Sequence, residues 1–384
     1  MKKNIIILER RLFSVFGHER TQIQKLNEYF GYTKVVVISC KNIKLQKMNL
    51  KNKIYLNLPN IEIKKEGKET KNYIEDSAFK LQSILIREEY KIATNLIIPS
   101  ARAAEISMIT LLFIENKFPK KILPIVRILG INYLNNLSKD ILDNFIKLVN
   151  TGFIKLCTET EELLNIVKKK YRIKNIKILI FPILVPLNYL PKKNIIKKNI
   201  NIGCLGSPRP SKGTNEIPYL IKSLRQYVRK NNLDLKVTFI VQMNKDKKKR
   251  AFIFWIKEFL TRYISSSVKV KIIYGISETK KYMQLLDSID IFLLPYRKNQ
   301  YLYSGSGFII DALLLEKPII HSNGIAMKDL TSFHNTIALK NKMEFPIAVL
   351  NIIKNYQKYV KNTRSAKKYL KVKINNSFKF ISKG

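Results

Sequence analysis

The feature that most constrains the fold of this chain is an alternation between short apolar runs and longer segments with apolar residues at helical spacing. In the first half this spacing predicts helices over residues 18–30, 138–149 and 159–171, and Thr158 is the expected cap of the last one. The apolar runs predict strands over residues 4–8, 34–39, 95–99, 123–128, 153–157 and 177–181. Strands that alternate with helices are typical of a parallel sheet covered on both faces.

The alternation is interrupted once and then restarts. Residues 182–199 contain Pro182, Pro186 and Pro191 and then a basic run, which indicates a hinge between domains. Further strands are predicted over residues 200–205, 235–241, 268–273, 289–294 and 318–321, and helices over 215–230, 247–264, 278–286, 307–315 and 345–360. We therefore predict an α/β protein with two Rossmann-like domains, 1–188 and 189–384, facing each other across a cleft.

The chain is strongly basic, with 71 Lys and Arg against 28 Asp and Glu, which gives a formal net charge of +43. A hydrophobic content of 46% fills sizeable cores and excludes a disordered chain. The surplus charge has three interpretations: a lysine-rich composition, attraction to an anionic membrane surface, or nucleic-acid binding. The cations are spread along the chain, which favours a mixture of the first two. Without a basic arm or a known nucleic-acid-binding motif, we expect no nucleic-acid partner.

Targeting and metal signals are weak. The apolar run at residues 5–8 is too short for a signal peptide, and no window of ~20 residues is free of charge, so we expect a cytoplasmic protein, with contact at the inner face of the plasma membrane as an extension. Three cysteines (Cys40, Cys157, Cys204) and three histidines (His18, His321, His334) show no metal-ligand spacing. We expect no metal and no cofactor.

The first segment that indicates chemistry follows the predicted strand 200–205. Gly206 allows a tight turn, and Arg209 and Lys212 stand between the strand end and the next helix. Cations together with free backbone N–H groups near a helix start suit a phosphate. A basic surface loop is the alternative.

The second segment follows the predicted strand 289–294. Ser306 and Gly307 come directly before or at the start of a helix, where backbone N–H groups meet an anion. Asp311 lies one turn further on, where its carboxylate could accept hydrogen bonds from sugar hydroxyls, or simply favour the helix dipole. Tyr296 and Tyr301 are interpreted as residues that pack the loop.

The two segments together resemble the nucleotide-sugar half of group 1 glycosyltransferases, which have the GT-B fold. The family spacing of a Gly and, six residues later, Lys-Gly is kept by Gly206 and Lys212-Gly213. One bacterial branch of the family is also similar in the second segment, which here contains Leu294-Pro295-Tyr296, Tyr301, Ser306-Gly307, Asp311 and Lys317-Pro318. Gly17, His18 and Glu19 resemble the family's first loop. The resemblance covers nearly the whole chain and is specific in its second half.

The resemblance implies a metal-independent hexosyltransferase that moves a sugar from a nucleoside diphosphate sugar to a glycan or lipid-linked acceptor. It assigns Arg209 and Lys212 to the diphosphate, together with the backbone at Gly206, Ser306 and Gly307, and Asp311 to the ribose. Gly17 and His18 would close on the donor from the acceptor domain, where His18 could instead act as a base. A C-terminal helix that crosses back to the first domain is also implied.

Other observations leave alternatives open. Tyr303 stands where the family usually has the first of two glutamates, so a catalytically weak or inactive sugar-nucleotide-binding relative is a second interpretation, and charge-driven nucleic-acid binding a third. Arg102 and Arg127 either face the cleft or form ion pairs. The segment 247–264 has an apolar stripe that fits a core helix or a membrane-facing one.

Overall fold

A computed structural model describes residues 4–10, 18–31, 35–40, 52–56, 68–87, 93–191, 199–206, 208–243, 267–274 and 279–383. The chain divides into two compact units, one made of residues 1–182 and 373–384 and the other of residues 183–372. The predicted return of the C-terminal helix is confirmed, since its last residues belong to the first unit.

The first unit contains a seven-stranded sheet with the order β3-β2-β1-β4-β5-β6-β7. Its strands are β1 (Asn4–Leu8), β2 (Val35–Cys40), β3 (Asn52–Leu56), β4 (Ala93–Ala101), β5 (Leu123–Ile128), β6 (Lys155–Thr158) and β7 (Ile176–Ile178). All paired strands run parallel. The interior strand β1 is buried from Ile5 to Leu8, which explains its unbroken apolar run.

Helices connect these strands. They are α1 (His18–Phe30), α2 (Lys68–Leu85), α3 (Ala103–Ile114), α4 (Asn132–Asn135), α5 (Lys139–Asn150) and α6 (Glu161–Tyr171). The expected cap at Thr158 is wrong, because the side chain of Thr160 accepts the hydrogen bond from the N–H of Leu163 at 3.1 Å. Thr158 instead ends β6, so the helix begins two residues later than predicted.

The second unit contains a six-stranded parallel sheet with the order β10-β9-β8-β11-β12-β13. Its strands are β8 (Asn199–Cys204), β9 (Lys236–Met243), β10 (Val268–Tyr274), β11 (Ile291–Leu294), β12 (Ile319–Ser322) and β13 (Thr336–Leu339). Its helices are α7 (Ile217–Lys230), α8 (Thr279–Ser288), α9 (Lys298–Tyr301), α10 (Gly307–Leu314), α11 (Lys328–Thr331) and α12 (Phe345–Lys354), followed by α13 (Tyr356–Lys383).

The final predicted helix, 345–360, is wrong in its extent. The structure ends α12 at Lys354 and starts α13 at Tyr356, and α13 continues to Lys383. Asn355 separates them, and its side-chain amide donates to the carbonyl oxygen of Asn351 at 3.1 Å, a local bond that competes with helical continuation. The predicted helix 247–264 lies outside the described residues.

Both sheets reverse their strand order beside their first strand. β1 lies between β2 and β4, and β8 lies between β9 and β11. In open parallel sheets, ligands bind beyond the carboxyl ends of the strands at such a reversal. Separately, none of the helices in the described ranges has the length and apolar content needed to cross a membrane.

Candidate functional site

The two segments that the sequence indicates meet at one edge of the second sheet. β8 pairs with β11, with Gly203 opposite Phe292, so the loops that follow these strands leave the sheet side by side. The N–H of Arg297, in the loop after β11, donates to the carbonyl oxygen of Ser211, in the loop after β8, at 2.9 Å. The loops are therefore bonded to each other at the point of strand reversal.

Gly213 lets the two loops approach. It has a φ of +65°, and a Cβ atom at this position would overlap the carbonyl oxygen of Pro295. It ends a short 3₁₀ turn, Pro210–Lys212, in which the N–H of Lys212 donates to the carbonyl oxygen of Arg209 at 2.9 Å. Glycine is required here for both backbone conformation and close contact.

The side chain of Lys212 turns back toward the end of β8. Its Nζ lies against Gly206, which has a φ of +96°, and 5.0 Å from the ring centroid of Phe308 in the first turn of α10. The N–H of Gly206 donates to Oε1 of Gln242 at 2.8 Å, which fixes the turn to the neighbouring strand β9. The ammonium group thus sits between the two loops, over an aromatic face.

The electrostatics of this position favour an anion. Burial, and after it the nearby guanidinium of Arg209, lowers the pKa of Lys212 to about 8. Across the ranges that the structure describes, neither Lys212 nor Arg209 forms an ion pair with a carboxylate. Two neighbouring cations without a counter-ion are stabilised when an anion binds between them.

Ser306 and Gly307 form the start of α10 at the same edge. Ser306 is buried, its Oγ is hydrogen-bonded to the hydroxyl of Tyr296 at 3.0 Å, and its N–H faces Sδ of Met327 at 3.4 Å, a weak acceptor. The ring of Tyr296 stacks on that of Tyr301 with centroids 4.1 Å apart. Both tyrosines therefore pack the loop, in agreement with the sequence interpretation.

Asp311 lies on α10 but is fully buried. Its Oδ1 accepts hydrogen bonds from the N–H groups of Leu184 and Val185, each at 3.0 Å, whereas its Oδ2 has no hydrogen-bond partner within the described part of the chain. Burial raises the pKa of this carboxyl group to about 7, although the two backbone bonds lower it. The contact with residues 184–185 was not predicted, and the role of Asp311 at a ribose stays a prediction.

The residues predicted in the first half are placed as follows. Gly17 lies outside the described residues, and His18 is the first residue of α1. Arg127 is fully buried, with Nη2 donating to Oε1 of Glu159 at 2.8 Å and Nη1 to the carbonyl oxygen of Pro99 at 2.9 Å. Of the two interpretations of Arg127, the ion pair is the one that the structure shows.

Gln242 and Tyr282 were missed by sequence reasoning. Gln242 accepts from the N–H of Gly206 and, at 3.4 Å, from the hydroxyl of Tyr282 in α8. The only signal in the sequence was the position of Gln242 as the first polar residue after the apolar run 239–241. As for metals, the described residues contain no group of three His, Cys, Asp or Glu side chains that could hold one.

Comparison with solved structures gives matches along the whole chain. Anabaena HepE, crystallised with UDP and glucose, is 12% identical with a TM-score of 0.66, over 99% of this chain and 98% of that one. A glycosyltransferase from Rickettsia africae is 13% identical with a TM-score of 0.65, over 98% and 94%. The α,α-trehalose 6-phosphate synthase of Burkholderia multivorans is 7% identical with a TM-score of 0.64, over 100% and 98%.

At the level of sequence, neither a family model nor a characterised protein matches the chain. The structural likeness establishes the fold: the chain has the GT-B fold, as predicted.

Proposed function

We propose that this protein is a glycosyltransferase that moves a sugar from a nucleoside diphosphate sugar to a glycan or lipid-linked acceptor. The observation that carries the proposal is the ammonium group of Lys212, which lies between the loops after β8 and β11 beside Gly206 and Arg209 and has no carboxylate partner among the described residues. The likeness in fold to HepE, which was crystallised with UDP and glucose, supports a nucleotide-sugar donor.

The chemistry follows from the charge that the reaction creates. When the glycosidic bond of the donor breaks, negative charge accumulates on the leaving diphosphate. Fixed cations and backbone N–H groups aimed at this charge lower the barrier without a metal ion or cofactor. Lys212 and Arg209 supply the cations, and Gly307 supplies a backbone N–H at the start of α10. The N–H of Ser306 meets only the weak acceptor Sδ of Met327 and can turn to the diphosphate, whereas Gly206 shapes the turn, since its own N–H donates to Gln242. Each cation is expected to contribute about 2–4 kcal/mol to the transition state.

Asp311 and the first domain have the remaining roles. Oδ2 of Asp311, which is buried and has no partner in the described chain, would accept from a ribose hydroxyl once donor binding uncovers it. The second domain binds the donor, and the first domain binds the acceptor and brings Gly17 and His18 to the donor. We propose a role in the biosynthesis of capsule, lipopolysaccharide or exopolysaccharide on the cytoplasmic side of the membrane.

A thermal-shift panel of UDP, GDP, ADP, CMP and their sugars tests the donor site. A bound nucleotide stabilises by mass action, about 2.7 kcal/mol at a hundredfold excess over its dissociation constant. Lys212→Ala should abolish the shift, while Lys236→Ala, which removes an exposed lysine from the same unit, should keep it. A shift that Lys212→Ala retains would mean that the diphosphate binds elsewhere.

Sugar release from the identified donor then separates an enzyme from an inactive relative. Slow hydrolysis in the absence of acceptor is expected, because water replaces the acceptor hydroxyl. Donor binding with no release over long incubation would support the inactive relative.

A further inference from the structure

Three apolar side chains cluster on the surface of the second unit, where α7 and α12 begin. Tyr219, Met343 and Ile347 are 42%, 69% and 58% exposed. The hydroxyl of Tyr219 lies 2.7 Å from Sδ of Met343, which belongs to the 3₁₀ turn Lys342–Glu344, and Ile347 stands four residues further on, in the first turn of α12. We call these three residues the apolar patch.

The fold does not need these side chains for its core. The opposite faces of α7 and α12 already fill the core of the unit, with Ile217, Leu220, Leu224 and Val228 on one helix and Phe345, Val349 and Ile352 on the other. Contiguous apolar side chains that remain exposed after the core is complete mark surfaces that meet another apolar phase.

Cations share the outward faces of both helices. Lys222 follows Tyr219 by three residues on α7, and Lys354 follows Ile347 by seven on α12, so each lies on the same face as the apolar residue. Both are exposed, and neither has a carboxylate partner in the described chain. Neither helix contains an acidic residue.

The nearby acids are already engaged. Glu216 is paired with Lys342, and Glu344 accepts from the N–H of Lys340 at 2.9 Å and from the side chain of Asn341 at 3.2 Å. The neutral donors leave Glu344 with its charge, but Lys222, Lys340 and Lys354 outnumber this one carboxylate, so the surface around the apolar patch has a net positive charge.

We propose that this face of the second unit docks on an anionic lipid bilayer. Exposed Met, Ile and Tyr side chains suit the boundary between headgroups and acyl chains, while surrounding lysines meet anionic headgroups. A nucleic acid would match the lysines but gives no apolar phase for Met343 and Ile347.

The position of the patch links it to the donor loop. Tyr219 follows Lys212 by seven residues, across the 3₁₀ turn Thr214–Glu216, so a bilayer at the patch would hold the donor loop near lipid-linked acceptors. This last step rests on the proposed function, whereas docking itself does not.

Flotation with phosphatidylcholine vesicles, with and without phosphatidylglycerol, tests the proposal at low and high salt. The full chain should float only with the anionic vesicles, and less at high salt, because screening weakens the lysine contacts. Met343→Glu combined with Ile347→Glu should reduce the partition coefficient by about tenfold or more. Val372→Glu is the matched control, since Val372 is an exposed aliphatic residue on a helix at 57%. The partition coefficient of this control should stay within about twofold of the wild-type value.

Two results would overturn the docking surface: no flotation in low salt, or an equal loss in the patch variant and the Val372 control. Retention on duplex DNA that the patch variant leaves unchanged, with no vesicle binding, would point to nucleic acid instead. The UDP thermal shift, measured on the same variants, reports the proposed function separately, because the patch variant should keep it.

Discussion

The ammonium group of Lys212 fills the space that a side chain at Gly206 would need. The six-residue spacing between them is therefore a geometric requirement, because the turn that separates them must bring Nζ back over Gly206, two residues after the end of β8. Phe308 covers the same position from α10 and removes water from the ammonium group. Because this burial lowers the pKa of Lys212, the affinity of the site for an anion should depend on pH.

Donor affinity should fall as the pH rises above about 8. In the free protein the pKa of Lys212 is lowered to about 8, mainly by burial, so the lysine loses its charge above this pH and with it the attraction for the diphosphate. Isothermal titration with UDP between pH 7 and pH 9.5 should show a dissociation constant that rises by up to about tenfold per pH unit above 8.

Lys212→Arg is the control for this titration, because a guanidinium stays charged over the whole range. Its dissociation constant should be nearly independent of pH. The effect on stability without ligand has the opposite sign. Between pH 8 and the ordinary lysine pKa of 10.5, the unfolded chain holds the proton of Lys212 more often than the folded protein does. The free energy of unfolding should therefore rise with pH in this range. A wild-type UDP affinity that is flat to pH 9.5 would contradict the assignment of Lys212 to the diphosphate.

Gly213→Ala should uncouple the two loops of the site. The new Cβ would overlap the carbonyl oxygen of Pro295, and the φ of +65° would be strained for alanine. Backbone strain alone costs about 1–3 kcal/mol, and we expect the loss in the free energy of unfolding to exceed it. The increase in melting temperature that UDP causes should also become smaller. Gly152→Ala is the matched control, since Gly152 has a φ of +86° with no atom within 4 Å of the added carbon, so it carries the strain alone. Equal losses in the two variants would show that the loop contact contributes nothing.

The sequence predicted the sheets well because strands buried on both faces carry unbroken apolar runs. It missed α3 (Ala103–Ile114) because that helix is buried on nearly all sides and so shows no single apolar stripe. Two other missed elements have weaker signals. β3 (Asn52–Leu56) is a short edge strand with two polar residues among five, and α2 (Lys68–Leu85) has its apolar residues spread among charged ones. Edge strands and partly exposed helices need less apolar surface, so the pattern that marks them is correspondingly faint.

The part of the candidate site that a single loop forms was predictable from the sequence. Gly206, Lys212 and Gly213 lie within one loop, so their spacing in the sequence is enough to indicate that they lie close together. The contact between Asp311 and the backbone of Val185 joins residues 126 positions apart, and no local pattern indicates it. The same holds for Gln242, which reaches Gly206 only because β9 pairs with β8.

The buried pair of Arg127 and Glu159 decides between the two interpretations of Arg127. The guanidinium is fully buried, so Glu159→Ala should leave an uncompensated charge and destabilise the protein by about 3–5 kcal/mol in urea denaturation. Replacing both residues, with Arg127→Met added, should recover most of the loss. Unchanged stability in Glu159→Ala together with reduced sugar transfer would instead favour Arg127 as a cleft cation.

Asp311 should make stability fall as the pH rises from about 4 to about 7. Its pKa in the folded protein is raised from 3.8 to about 7, mainly by burial, so the folded state binds more protons than the unfolded chain in this window. Asp311→Asn keeps an oxygen that accepts from Leu184 and Val185 but cannot ionise. Thermal unfolding from pH 4 to pH 8 should therefore show a flatter profile for this variant and a higher melting temperature than the wild type at pH 8.

Asp311→Ala separates the charge from the hydrogen bonds. It removes the acceptor and leaves two backbone N–H groups without a partner, so it should be about 2–4 kcal/mol less stable than Asp311→Asn at every pH. If the alanine and asparagine variants were equally stable, the two backbone bonds would contribute nothing to the fold. If the asparagine variant kept the wild-type pH profile, the titration between pH 4 and pH 7 would belong to another group.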